Sequence, residues 1–118
     1  MLIHKEFKFD SAHHLPDYRG KCEEVHGHTY KLRVTLEGEV QSDGLVFDFG
    51  DIEKIVQENV LEKLDHKDLN TVIENPSAEK IAIWIYDQLE DEFPEHVTLT
   101  EVRLWETATS SVTCGKQV

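Results

Sequence analysis

From residue 27 to residue 38 the chain alternates cleanly, with Tyr30, Leu32, Val34 and Leu36 set against Lys31, Arg33, Thr35 and Glu37. Successive side chains of a strand point to opposite faces, so this pattern fixes a strand with one apolar and one polar face. Residues 2–12 repeat it, Ile3, Phe7 and Phe9 on one parity and Glu6, Lys8 and Asp10 on the other. Between the two lies a charged stretch with Pro16 and Gly20, which reads as a loop.

Two helical stripes follow a turn at "QSDG" (41–44) and a short apolar run "LVFDF" (45–49). Ile52, Ile55, Val56, Val60 and Leu64 make the first, and Ala78, Ile81, Ala82, Ile85 and Leu89 the second. "NPSAE" (75–79) predicts the second helix start: Asn75 as N-cap, Pro76 at the first helical position and Glu79 at the positive end. Pro94 is its expected stop, and residues 97–106 and 111–118 read as closing strands joined by "TATS". The order β-β-α-α-β-β, in runs rather than strict alternation, predicts an α+β fold with an antiparallel sheet. No linker or internal repeat divides residues 1–118, which read as a single domain.

Twenty-four acidic against twelve basic side chains give a formal charge of −12. That argues against nucleic-acid binding, which needs a basic footprint, yet a few local cations can still hold a small anion. No run approaches the roughly 20 apolar residues of a membrane helix, and "MLIHKEFKFD" lacks a cleavage-site pattern. No membrane, a cytoplasmic location and free thiols at Cys22 and Cys114 are expected. A domain this short buries only about two-thirds of its unfolded surface, and oligomerisation is one way to cover more.

The chemistry concentrates in "CEEVHGHTY" (22–30). His26 and His28 share the strand face of Tyr30 and Leu32, and Gly27 leaves room for close approach. If the first two strands pair antiparallel, "SAHH" brings His13 or His14 beside them. Three imidazoles can hold Zn²⁺ and leave its fourth position open. Cys22, near such a metal, can act as a thiolate base or nucleophile. In "LDH" (64–66), Asp65 can orient His66 as an acid–base pair. Glu106 in "LWET" can accept two parallel N–H bonds from a guanidine-like ligand edge. Each has a plainer role: a surface H-x-H pair, a buried thiol, a helix cap, a solvated strand end. His4 and His96 have no such company.

Six stretches, "FDSAHHLP" (9–16), "CEEVHGH" (22–28), "GLVFDFGDI" (44–52), "LDHKDLN" (64–70), "NPSAE" (75–79) and "LWET" (104–107), run in the order and spacing of one family. Together the chain resembles the 6-pyruvoyl-tetrahydropterin synthase family of the tunnelling fold. The resemblance implies a four-stranded antiparallel sheet with two helices on one face. It implies a homo-oligomer, a trimer or a hexamer built as a dimer of trimers, with sites made by more than one chain. Zinc ligands fall on His13, His26 and His28, catalytic groups on Cys22, Asp65 and His66, and the pterin anchor on Glu106. Ser77 and Glu79 match the family's Pro-Thr-x-Glu as substrate contacts, Ser77 replacing Thr, and Phe49 lines the pterin pocket. His14 stands where relatives often have Arg.

The implied substrate is 7,8-dihydroneopterin triphosphate. The short C-x-x-x-H-G-H spacing is similar to that of 6-carboxy-5,6,7,8-tetrahydropterin synthases, lyases of the queuosine and 7-deazaguanine route that release acetaldehyde and triphosphate. Family members making 6-pyruvoyl-tetrahydropterin are the alternative. Glu23 satisfies a second family pattern, E-x-x-H-G-H, which implies 6-hydroxymethyl-dihydropterin as a further product and a possible dual function. Of another class is a non-catalytic structural module, its zinc closed by Cys22 as fourth ligand.

Overall fold

The computed structural model describes residues 1–21 and 23–115; Cys22 and residues 116–118, the expected end of the last strand, lie outside them. Strands β1 (Leu2–His13), β2 (His26–Gly38), β3 (Val97–Thr107) and β4 (Ser110–Gly115) form one antiparallel sheet in the order β1-β2-β3-β4. Helix α1 (Phe49–Val56) runs on through a π-helical turn, Gln57–Leu61, into a last α turn, Glu62–Leu64. Helix α2 (Ala78–Leu89) follows a single 3₁₀ turn, Leu69–Thr71. The ββααββ order and the four-stranded antiparallel sheet are as expected.

The alternating residues of β1 and β2 put Phe9, Tyr30, Leu32, Val34 and Leu36 on one face, all at most 2% exposed, against the helix residues Ile52, Val56, Val60, Leu64, Ile81 and Ile85. Ile52, Val56, Val60 and Leu64 recur every four residues, which exceeds the 3.6 of an α-helix. A stripe at that spacing drifts around the rod, and the wider π turn brings Val60 and Leu64 back to the sheet. In β3 a bulge does similar work. Thr35 pairs with Glu101 and Leu36 with Leu99, so Thr100 is the extra residue, and the buried set moves from Leu99 to Val102 and Leu104.

Helix α2 starts later than its sequence signal. Asn75 has φ +49°, in the left-handed region, so it does not cap. Ser77 does: its backbone is extended and its hydroxyl accepts the Lys80 N–H at 3.1 Å. Pro76 therefore lies outside the helix, which frees its carbonyl. At the other end α2 stops at Leu89, ahead of Pro94.

Residues 66–68 cover part of the outer edge of β1. The His66 N–H donates to the Asp10 carbonyl at 2.7 Å, and the Ala12 N–H to the Lys67 carbonyl at 3.0 Å. No helix among the described residues is long and apolar enough to cross a membrane.

Gly38, the last residue of β2, is closely boxed in. A Cβ there would lie 2.8 Å from the His96 carbonyl oxygen and 3.1 Å from methyl carbons of Val46 and Val97. A backbone oxygen cannot swing aside, so Gly38→Ala is expected to lose roughly 1–3 kcal/mol of stability. Urea unfolding checks this; an unchanged midpoint would mean the sheet end is looser than its packing shows.

Candidate metal centre

The antiparallel register pairs His13 directly with His26, and Ser11 with His28. His13, His26 and His28 all leave the sheet on the helix-covered side, and the ligand-capable atoms of the three lie within 4.8 Å of one another. His13 is buried at 2% exposure, His28 is half-buried and His26 exposed. The site thus opens to solvent at one end of the sheet.

Two backbone carbonyls set the imidazole tautomers. His13 Nδ1 donates to the Pro76 carbonyl at 2.7 Å, and His26 Nδ1 to the Glu24 carbonyl at 2.9 Å. A carbonyl only accepts, so both Nδ1 atoms carry the proton and both Nε2 atoms present lone pairs. Those Nε2 atoms lie 3.1 Å apart. Two neutral acceptors facing at that distance repel unless a cation sits between them. His28 Nε2 is buried with no hydrogen-bond partner among the described residues. Three convergent lone pairs, one of them orphaned, fit a metal ion. Burial lowers the His28 pKa, against the pull of the Glu106 carboxylate, and so favours the neutral ring that coordination needs.

Glu106 stands at the mouth, its two carboxylate oxygens 3.9 Å from His13 Nε2 and from His28 Nε2 respectively. Trp105 pairs with Ser111 and Thr107 with Ser110, so Glu106 is the extra residue of a second bulge. Bulges re-aim side chains, and this one sits beside the imidazoles. Beneath the site Tyr30 stacks on Phe9 with centroids 5.0 Å apart, its ring edge against His13 and His28. Its buried hydroxyl has no hydrogen-bond partner among the described residues. Burial, helped by Glu106 and Glu23, pushes the Tyr30 phenol far above its ordinary pKa.

The other residues of interest are placed as follows. Glu23 turns inward rather than to solvent: it exchanges two hydrogen bonds with Leu15, its N–H to the Leu15 carbonyl at 3.1 Å and its carboxylate from the Leu15 N–H at 3.0 Å. Its carboxylate is 3.9 Å from His26 Nδ1. Asp65 and His66 form a pair at 3.0 Å, but at the free edge of β1, with the His66 ring 78% exposed. They are not part of the three-histidine cluster, though His66 borders a cleft of about 590 Å³ together with His28, Asp10, Gly27 and Thr29. Among the described residues a Cβ on Gly27 would meet only the Ser11 carbonyl, at 3.6 Å, an ordinary contact that does not demand glycine. Ser77 caps α2, Glu79 is exposed in its first turn, and Phe49, 52% exposed, lies with His4, Lys5 and Arg33 far down the sheet. His14 is fastened to Asn70 by its backbone N–H and carbonyl, at 3.0 and 2.9 Å. Cys22 lies outside the described residues.

Sequence reasoning missed the Pro76 and Glu24 carbonyls and the closeness of Glu106 to the histidines. Only the parity of Glu106 with Leu104 and Val102 hinted at the last.

Fold and site define a small α+β protein able to hold a metal ion on three histidines at the end of an antiparallel sheet. A family model described as 6-pyruvoyl tetrahydropterin synthase matches residues 2–117, and the chain belongs to that family. It is 34% identical to 6-carboxy-5,6,7,8-tetrahydropterin synthase of Haemophilus influenzae, covering 92% of this chain and 94% of that one. It is 41% identical to the dihydroneopterin monophosphate aldolase of Pyrococcus furiosus, covering 83% and 82%. The solved 6-pyruvoyl tetrahydropterin synthase of Caenorhabditis elegans superposes with a TM-score of 0.85 at 26% identity, over 99% of this chain and 96% of that one. The fold is the tunnelling fold of these relatives.

If the three imidazoles share one ion, replacing any one removes a direct ligand. His13→Ala, His26→Ala and His28→Ala are each expected to drop bound metal well below one ion per chain in elemental analysis of purified protein. Full metal retention in the His26→Ala and His28→Ala proteins would place the ion elsewhere.

Proposed function

We propose that the chain is a zinc-dependent 6-carboxy-5,6,7,8-tetrahydropterin synthase, a lyase that takes 7,8-dihydroneopterin triphosphate and releases acetaldehyde and triphosphate. Its product feeds 7-deazaguanine and queuosine formation. The observation that carries this reading is the convergence of three imidazole nitrogens, two of them with fixed tautomers. The near full-length similarity to the Haemophilus influenzae enzyme supports it. Nitrogens about 2.0–2.1 Å from a tetrahedral zinc lie about 3.3 Å apart, close to the 3.1 Å between His13 and His26.

His13, His26 and His28 hold the zinc, which when bound supplies Lewis acidity toward side-chain oxygens of the substrate. Cys22 is the base that removes the acidified proton. Asp65, 3.0 Å from His66 Nδ1, orients the ring, and Nε2 is the atom that gives or takes a proton. The two oxygens of Glu106 accept the 2-amino and N3 protons of the pterin. The Ser77 hydroxyl, which accepts from Lys80, keeps its own proton for the substrate, and Glu79 and Phe49 complete the contacts. Asp65 and His66 lie outside the cluster of three histidines, and Phe49 lies with His4 and Lys5. A complete site therefore draws them from a neighbouring copy in a homo-oligomer, a trimer or a dimer of trimers.

A second reading is aldolase-type cleavage to 6-hydroxymethyl-dihydropterin through Glu23. The inward carboxylate, 3.9 Å from the His26 ring, favours it, and the Pyrococcus furiosus relative is an aldolase.

Incubation with dihydroneopterin triphosphate and mass spectrometry of products tests both. Cys22→Ala is expected to cut carboxy-tetrahydropterin formation by about 10²–10⁴-fold with zinc retained. Loss of zinc with it would make Cys22 a fourth ligand and favour a structural site. With Glu23 active, that variant still makes the hydroxymethyl product and Glu23→Gln does not. No hydroxymethyl product from wild type rules out the second reading.

Glu106→Gln turns one acceptor into a donor against a ligand N–H. An unmatched buried pair costs about 1–3 kcal/mol, so pterin affinity should fall about tenfold or more at unchanged zinc. Unaltered affinity in calorimetric titration would put the anchor elsewhere.

A further inference from the structure

The face of the sheet turned away from the helices carries a charge pattern that stability alone does not explain. Lys8 pairs directly with Lys31 across β1 and β2, and Arg33 with Arg103 across β2 and β3. Like charges set directly opposite each other are destabilising. This chain has only twelve cations against twenty-four acids, so carboxylates to alternate with them are plentiful. Instead three of the twelve cations sit around one indole, with Lys8 paired to one of them. Lys31 Nζ is 4.7 Å, Arg33 Cζ 5.2 Å and Arg103 Cζ 4.4 Å from the centroid of the Trp105 ring. The indole eases the repulsion and holds the cations in place.

Glu6 offsets part of the cluster, pairing with Arg33 at 2.9 Å and Lys31 at 3.3 Å. Lys8 and Arg103 have no carboxylate partner among the described residues; Arg103 reaches only the Ser111 hydroxyl, at 3.2 Å. Beside them is a cavity of about 280 Å³, bordered by Lys8, Thr29, Lys31, Trp105 and Thr107. It is separate from the histidine site, which lies on the other side of the sheet.

We propose that this cavity, with Lys8 and Lys31 at its border and Arg33 and Arg103 beside Trp105, binds a small oligophosphate anion. Strands lie about 4.8 Å apart, so the cations from β1 to β3 span about 10 Å. A single anionic group cannot meet two staggered cation pairs, Lys8–Lys31 and Arg33–Arg103, whereas linked phosphates can, with charge-assisted bonds from ammonium and guanidinium groups. A long polyanion such as nucleic acid is disfavoured by the overall charge of −12 and by the small cavity. The inference does not rest on the proposed synthase activity.

The test is calorimetric titration of the zinc-loaded protein with sodium tripolyphosphate at low salt, with zinc assayed before and after. Wild type is expected to bind, with affinity falling as NaCl is added. The Lys8→Gln/Lys31→Gln protein should bind at least tenfold more weakly at unchanged zinc content. Tripolyphosphate should raise the melting temperature of wild type and not of this variant. Equal affinity in the two proteins, or no binding by wild type at millimolar anion, overturns the proposal. So does a variant that changes only its oligomeric state in size-exclusion chromatography, which would make this face a contact between copies.

Discussion

The pairing of His13 with His26 across β1 and β2 is the contact on which the candidate site depends. Along these strands one set of residues packs under the helices: Phe9 beside Tyr30, Ser11 beside His28, His13 beside His26. A slip of one residue would turn a whole set to the other face, burying Lys31 and Arg33 and exposing Tyr30 and Leu32. The hydrophobic core therefore locks the register, and the register assembles the imidazoles. The Phe9–Tyr30 stack lies directly beneath them, so core and site share one set of constraints.

The site also depends on where α2 begins. Because Ser77, and not Asn75, caps the helix, Pro76 stays outside it and its carbonyl is free to accept the His13 Nδ1 proton. A proline contributes no N–H of its own, so its carbonyl is the only backbone group it can offer. Helix capping and histidine tautomer are thus coupled through adjacent residues. On the other side of the site, the Glu24 carbonyl does for His26 what Pro76 does for His13. The 14–25 loop carrying it is tied back through the two Glu23–Leu15 bonds.

The two faces of one sheet hold different chemistry. Strand alternation sends apolar side chains and imidazoles under the helices, and cations around Trp105 to the open side. Bulges at Thr100 and Glu106 adjust this division locally. The first keeps β3 packed after its parity changes, and the second turns a carboxylate toward the histidines.

The sequence by itself determined the strand and helix pattern and two of the three candidate ligands, His26 and His28; the register then selects His13 over His14. Period-two and near period-four patterns are local, and an H-x-H pair declares a shared face without further information. It misplaced the start of α2, because Asn and Ser are both good caps and only the left-handed backbone of Asn75 separates them. The four-residue spacing of Ile52, Val56, Val60 and Leu64 is its one trace of the π turn, which answers to packing against the sheet. Only the tertiary structure decided that Glu106 stands at the mouth of the histidines. Only it showed that His66 borders a cleft with His28 while Phe49 lies away from the histidines. Those positions depend on register, bulges and chain path between residues far apart in sequence, and a pattern of neighbours does not encode a distance across a sheet.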